Sequence, residues 1–313
     1  MKKTPVHINP SPCIDYQSDY LFLGSCFSEN ISEKMHNEGF KVFSNPFGVL
    51  FNPTSIAHLF IKNNDELRAS SFNRGDVFLS WFANSTCFGY ERDVFVQRLI
   101  QLREEFLERL KTSKILCITF GTSWVYEKKD IQEVVGNCHK INQNEFNRKM
   151  LSIDEMLILW KNILEQKIYS INKNIEIIFT VSPVRHVKDG LIENTRSKGR
   201  LIELISKLKE QLPQIHYFPA YEIMLDELRD YAYYDRDGLH PNELAVDIIW
   251  DRFKENYFTE DTKKINQDYL RIKGLFTHRL QHPESKESIN FIEQRNQKWK
   301  DFQEKHLTIK PSW

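Results

Sequence analysis

The segment YLFLGSCFSENISEKMHNEG, residues 20–39, decides how the rest of the chain is read. YLFLG (20–24) is a short apolar run closed by a glycine, the pattern of a strand buried on both faces. Residues 26–38 place Ile31 and Met35 on one helical face and stop at Gly39, a natural C′ residue. Strand and helix are joined only by Gly24, Ser25 and the first helical residue, Cys26. A nucleophile on such a turn is exposed, and the helix N-terminus favours an anion there. Cys26 would gain most, because a thiolate at a helix N-terminus has a lowered pKa. The plainer reading is that Gly24 and Ser25 build the turn and Cys26 is a small buried apolar residue.

Four further runs repeat the strand pattern: FKVFS (40–44), KILCITF (114–120), IEIIFTV (175–181) and IHYFPA (215–220). Helical patterns lie between and after them, over 92–112, 152–168, 196–212 and 242–256. Ser152 and Glu155 form a capping-box pair, and the 196–212 helix stops before Pro213. Strands alternating with helices imply βαβ units and a mainly parallel sheet, with ligands at the carboxyl ends of the strands. Residues 1–258 read as that α/β domain, and the polar tail 259–313 as a helical extension packed on it.

The strand ends supply the candidate site. The second strand leads into Asn45-Pro46-Phe47-Gly48, the third into Gly121-Thr122-Ser123-Trp124, and the fourth into Ser182-Pro183-Val184-Arg185-His186. Gly48 and Gly121 taken singly are ordinary turn glycines. Arg185 and His186 suit an anionic or hydroxylated substrate, although Arg185 could equally pair with Glu222 or Asp226. The strongest local signal is Asp237-Gly238-Leu239-His240-Pro241-Asn242, just before the last helix of the sheet domain. Asp and His three apart on such a loop reach one point, where Asp orients the imidazole and His acts as general base. The plainer alternative is a loop whose polar groups only cap the backbone.

Composition limits the function classes. The 313 residues carry 43 Lys plus Arg and 43 Asp plus Glu, a net charge of zero, whereas dedicated nucleic-acid binders show a basic excess. No apolar run approaches the roughly 18–20 residues of a membrane span. Lys2 and Lys3 are followed by no apolar leader core, so a cytoplasmic protein is expected. The five cysteines, at 13, 26, 87, 117 and 138, are odd in number and contain no CxxC, which fits a reducing compartment rather than a disulfide framework. Cys138 beside His139 lacks the usual zinc spacing, so no metal and no cofactor is expected. There is no GxGxxG after the first strand and no GxxxxGK[ST], which argues against a nucleotide-binding protein.

With these residues in place, the chain resembles the SGNH/GDSL hydrolase superfamily and, more closely, the GSCFA-domain family. GSCFS (24–28) stands at the namesake motif, with Ser28 where Ala is usual. The likeness continues through NPFGVLFNP (45–53), TFGTSWVY (119–126), VGNCHK (135–140), TVSPVRH (180–186), YFPAYEIMLDELRDY (217–231) and DGLHP (237–241), covering about residues 18–255. It implies a flavodoxin-like three-layer α/β sandwich with a five-stranded parallel sheet, helices on both faces and a C-terminal helical extension. Aligned on its glycine, the superfamily's Gly-Asp-Ser becomes Gly24-Ser25-Cys26, making Cys26 the nucleophile and Ser25 the runner-up. Asp237 and His240 carry over directly. The oxyanion donors map to Gly48 and to Gly121-Thr122-Ser123, where the superfamily's Asn is missing and Ser123 stands in its place; Asn137 is an alternative donor. Asn137, His139, Ser182, Arg185 and His186 are the remaining candidates for binding substrate. The implied activity is hydrolysis or transfer of an acyl ester, with an O-acylated carbohydrate as the analogous substrate. The alternative is an inactive protein of this fold that only binds a ligand.

Overall fold

Strands that are apolar on both faces must be covered on both faces. The computed structural model describes residues 4–313, and the pair Lys2-Lys3 lies outside them. In chain order the strands are β1 (Asp19–Gly24), β2 (Lys41–Ser44), β3 (Ser71–Arg74), β4 (Val77–Ser80), β5 (Ile115–Phe120), β6 (Trp124–Lys128), β7 (Glu133–Val134), β8 (Phe146–Met150), β9 (Glu176–Val181) and β10 (Ile215–Phe218). The helices are α1 (Cys26–Asn37), α2 (Pro53–Ile61), α3 (Asn64–Ala69), α4 (Arg92–Leu110), α5 (Ile153–Ile163), α6 (Leu191–Gln211), the single turn α7 (Ala220–Glu222), α8 (Glu243–Tyr257), α9 (Glu260–Thr277) and α10 (Lys286–Lys305).

The five expected strands form one sheet in the order β10-β9-β5-β1-β2, every pair parallel. Successive side chains go to opposite faces. Leu21, Leu23, Leu116, Ile118, Ile177 and Phe179 join one core with α2, α4, α5 and α6. Tyr20, Phe22, Cys117 and Ile178 join the other with α1 and α8. This is a doubly wound, flavodoxin-like order, and its switch point lies between β1 and β5, where the chain turns to opposite sides. Gly24 sits at that point, paired with Thr119. It has φ +127°, and a Cβ there would lie 2.1 Å from the Thr119 carbonyl oxygen, so only glycine fits.

The tail packs on the second core through Tyr269 and Ile272 of α9 and Phe302 of α10. Buried Glu38, just after α1, accepts from Trp250 Nε1 at 2.7 Å and Asn266 Nδ2 at 2.8 Å, linking α1 to α8 and α9. No helix of the described residues is long and apolar enough to cross a membrane.

Two features differ from the sequence reading. Helix α6 starts at Leu191, not 196; its first turn carries exposed Leu191 and Ile192, which obey no core periodicity and so left no signal in the sequence. The region between β5 and α5 is also not a plain loop. It forms an antiparallel sheet in the order β7-β6-β8, in which Tyr126 faces Arg148. Its strands are short and cover only one side of the core, so their apolar alternation is weak.

Candidate functional site

The carboxyl ends of β1, β5 and β9 form the floor of a cleft of about 360 Å³. Ser25, Cys26, Gly121, Thr122 and Ser182 come from the main sheet; Trp124, Tyr126 and Arg148 from the small sheet; Asn137 and Cys138 from the loop beside it. Arg185, His186, His240, Phe51 and Asn52 also line the cleft. Most of the expected site residues therefore meet in one place.

Ser25 is the N-cap residue of α1 but makes no side-chain cap bond. Its hydroxyl is buried with no partner. Cys26 follows as the first helical residue, with its sulfur facing the free amides of Phe27 and of Cys26 itself. Burial pushes the Cys26 thiol above its usual pKa. The Phe27 amide and the Lys198 ammonium pull it back without cancelling that rise. This corrects the expectation of a lowered thiol pKa: at this helix terminus desolvation outweighs the dipole.

The Asp237–His240 pair forms as the spacing predicts. Asp237 Oδ2 lies 2.6 Å from His240 Nδ1, and Asp237 Oδ1 accepts from the amides of Leu239 at 2.8 Å and His240 at 3.0 Å. The Leu239 amide, the His240 amide and the His240 ring hold the carboxyl down at about 2, so it is ionised at neutral pH. Its bond to Nδ1 leaves Nε2 as the working nitrogen of an imidazole that lines the cleft.

Of the expected oxyanion donors, Gly48, Gly121 and Ser123 are otherwise engaged, whereas the alternative, Asn137, lines the cleft with its Oδ1 on the His139 amide at 2.6 Å. The Gly48 amide donates to Asn45 O at 2.8 Å, and Gly48 does not line the cleft. The amides of Gly121 and Thr122 both donate to Phe51 O, at 2.7 and 3.1 Å. Ser123 is fully buried, with its hydroxyl and amide on Ser197 Oγ. His139 is also turned away, packed edge-on against Phe72 and Trp81 with Nε2 on Ser80 O at 2.9 Å. Asn137, Ser182, Arg185 and His186 do line the cleft. Arg185 pairs with neither Glu222 nor Asp226; it stacks on Tyr234 at 4.4 Å and Tyr231 at 5.4 Å and donates to Tyr231 Oη at 3.3 Å. No cluster of three or more His, Cys, Asp or Glu able to hold a metal occurs among the described residues.

Four residues escaped the sequence reading. Asn52 is the N-cap of α2: its Oδ1 takes the Ser55 amide at 2.8 Å, which leaves Nδ2 without a partner among the described residues. Asn followed by Pro at N1 is a legible helix start, and that signal could have exposed it. Lys198 of α6 is fully buried, with Nζ donating to Gly121 O and Ser182 O at 2.6 Å each. It ties together the ends of β5 and β9, and burial presses its ammonium down to about 7. Arg148 and Trp124 reach the cleft only through the small sheet, and Arg148 stacks over Trp124 at 5.2 Å. No local pattern marks these last three, because their roles depend on distant elements.

No curated protein matches the chain. The GSCFA family model matches residues 19–253, three quarters of the chain and every strand of the main sheet, and the protein belongs to the GSCFA family.

Proposed function

We propose that the cleft performs acyl transfer on an ester, to water or to another acceptor, with Cys26 as nucleophile. The observation that carries this reading is a cleft lined by both Cys26 and a histidine whose Nδ1 is held at 2.6 Å by an ionised carboxylate. Because burial keeps the thiol protonated, Cys26 resembles the serine of a triad more than a preformed thiolate. His240 Nε2 takes the thiol proton as sulfur attacks the ester carbonyl carbon, and the carbonyl oxygen takes up the negative charge. Asp237 holds the imidazolium without itself being protonated. The amides of Cys26 and Phe27 and the Asn52 Nδ2 are the available donors for the oxyanion. Asn52 thereby supplies the amide group that the Gly121-Thr122-Ser123 segment lacks. Collapse breaks the bond to the alcohol, which leaves with the proton from His240 and yields a thioester. An acceptor hydroxyl then gives its proton to His240, attacks the thioester and releases Cys26 as the thiol. Lys198 sets the floor by holding the Gly121 and Ser182 carbonyls and lends a positive charge near the sulfur.

The test is turnover of a panel of nitrophenyl esters and acyl thioesters, with mass spectrometry of trapped protein. An acyl adduct on Cys26, and activity lost in Cys26→Ala and His240→Ala, supports the reading. An adduct on Ser25 moves the nucleophile by one residue. No turnover and no adduct across the panel leaves a ligand-binding protein of this fold.

A further inference from the structure

The cleft has a one-sided chemistry. Its lining contains two arginines and two histidines and, among the described residues, no aspartate or glutamate. One arginine is partly neutralised, since Arg148 pairs with Asp189. The other is not: Arg185 is held by tyrosine rings and one phenol and has no carboxylate partner among the described residues. Lys188 adds a further positive charge at the edge, bonded to Tyr126. Trp124 Nε1, Arg148 Nε, His186 Nδ1 and Ser25 Oγ, all on lining residues, have no hydrogen-bond partner among the described residues, and the first two can only donate. Tyr126 and Arg148 are directly opposite each other on β6 and β8, with the guanidinium 4.9 Å from the Tyr126 ring centre. Arg185 is tied to the catalytic loop, because its own amide donates to Leu239 O at 3.1 Å.

We propose that this cleft holds an acid-binding subsite and that the acyl ester this protein takes carries a carboxylate, read by the Arg185 guanidinium. The placement rests on the acyl-transfer reading above for where the ester lies, but binding of the acid does not depend on the chemistry. A guanidinium pre-oriented against two tyrosine rings matches a carboxylate with little loss of side-chain freedom. A neutral acyl chain would leave the guanidinium without an anion to match its fork of donors. The DGLH loop sits against Arg185, so the acid group binds next to the general base and fixes the ester relative to His240 Nε2.

The experiment uses full-length Cys26→Ala protein, so that binding is read without turnover. The probes are methyl hydrogen succinate, as its anion, and the neutral isostere methyl succinamate. The readout is the Trp124 indole N–H resonance, assigned with Trp124→Phe. The anion should bind at least about tenfold more tightly than the amide, with a downfield indole shift, and the preference should disappear in Arg185→Gln. Arg185→Lys, which keeps the charge without the planar stack, should retain part of it and serves if the Gln variant does not fold. Equal binding of the two probes, or a preference that survives in folded Arg185→Gln, overturns the proposal. If wild-type protein turns over no ester while the anion preference holds, the acyl-transfer reading fails and the subsite stands. Turnover of neutral esters with no anion preference gives the converse.

Discussion

Two short histidine-bearing loops approach the same cleft and use the imidazole in opposite ways. In residues 237–241 the ring of His240 is about half exposed, with one nitrogen fixed by Asp237 and the other free. In residues 135–140 the His139 ring is buried against Phe72 and Trp81, with Nε2 on a backbone carbonyl. Burial holds His139 below the usual histidine pKa. The first presents a free ring nitrogen at the cleft; the second is buried and holds a loop in place. The first environment is local, a carboxylate three residues away; the second is long-range, the rings of Phe72 and Trp81 more than fifty residues away in the chain.

That contrast is sharpest under substitution. Cys26→Ala should reduce acyl turnover to background, and His240→Ala should cost about 10²- to 10⁴-fold in kcat, with thermal melting little changed in His240→Ala because the side chain is exposed. A His240→Ala protein with full turnover would end the comparison. Asn52→Ser comes next. Serine preserves the N-cap of α2 but removes the Nδ2 donor, so kcat should fall about 10²- to 10³-fold while melting stays close to wild type. Equal losses in stability and rate would make Asn52 a cap alone.

His139→Ala should show the reverse of His240→Ala. It should lose about 2–3 kcal/mol in urea unfolding, from the emptied aromatic niche and the unpaired Ser80 carbonyl, and keep its turnover per folded molecule. A third imidazole extends the series. His58 of α2 is fully buried, and burial first, then Lys62, holds it down to about 3. Its folded pKa is depressed, so below about pH 6.5 the unfolded chain binds a proton that the folded protein refuses. The stability from His58 is therefore whole above that pH and is lost as pH falls toward 3. In His58→Leu the slope of unfolding free energy between pH 6 and 4 should be smaller by about 1.4 kcal/mol per pH unit. The smallest effect concerns the sulfur. Lys198→Met removes the nearby positive charge, so the Cys26 thiol should move further up, read as a higher pH midpoint for iodoacetamide labelling. An unmoved midpoint would limit Lys198 to bracing the two strand ends.

Much of this was legible from local pattern. The five buried strands announce themselves as apolar runs closed by Gly, Pro or polar residues, and their parallel order follows from the intervening helices. Asp237 and His240 are three residues apart, so their contact needs nothing beyond a loop entering a helix. The failures share one cause. Gly48, Gly121 and Ser123 are placed correctly along the chain, but their polar groups are consumed by Asn45, Phe51 and Ser197, and only folded coordinates reveal which amides remain free. The raised pKa of Cys26 is a second instance, since a helix N-terminus can be read from sequence and desolvation cannot.

The sequence by itself determined the strand-to-helix turn at Gly24-Ser25-Cys26 and the Asp237–His240 pair, because each depends on neighbours within a few residues, and the parallel sheet, because helices alternate with its apolar strands. Tertiary structure alone decided that Asn52 faces the cleft, that Lys198 braces the ends of β5 and β9, and that Trp124, Arg148 and Arg185 line one cleft. Those groups are between 13 and 146 residues apart in the chain, and whether a polar group is free, charged or dry depends on what long-range packing places around it.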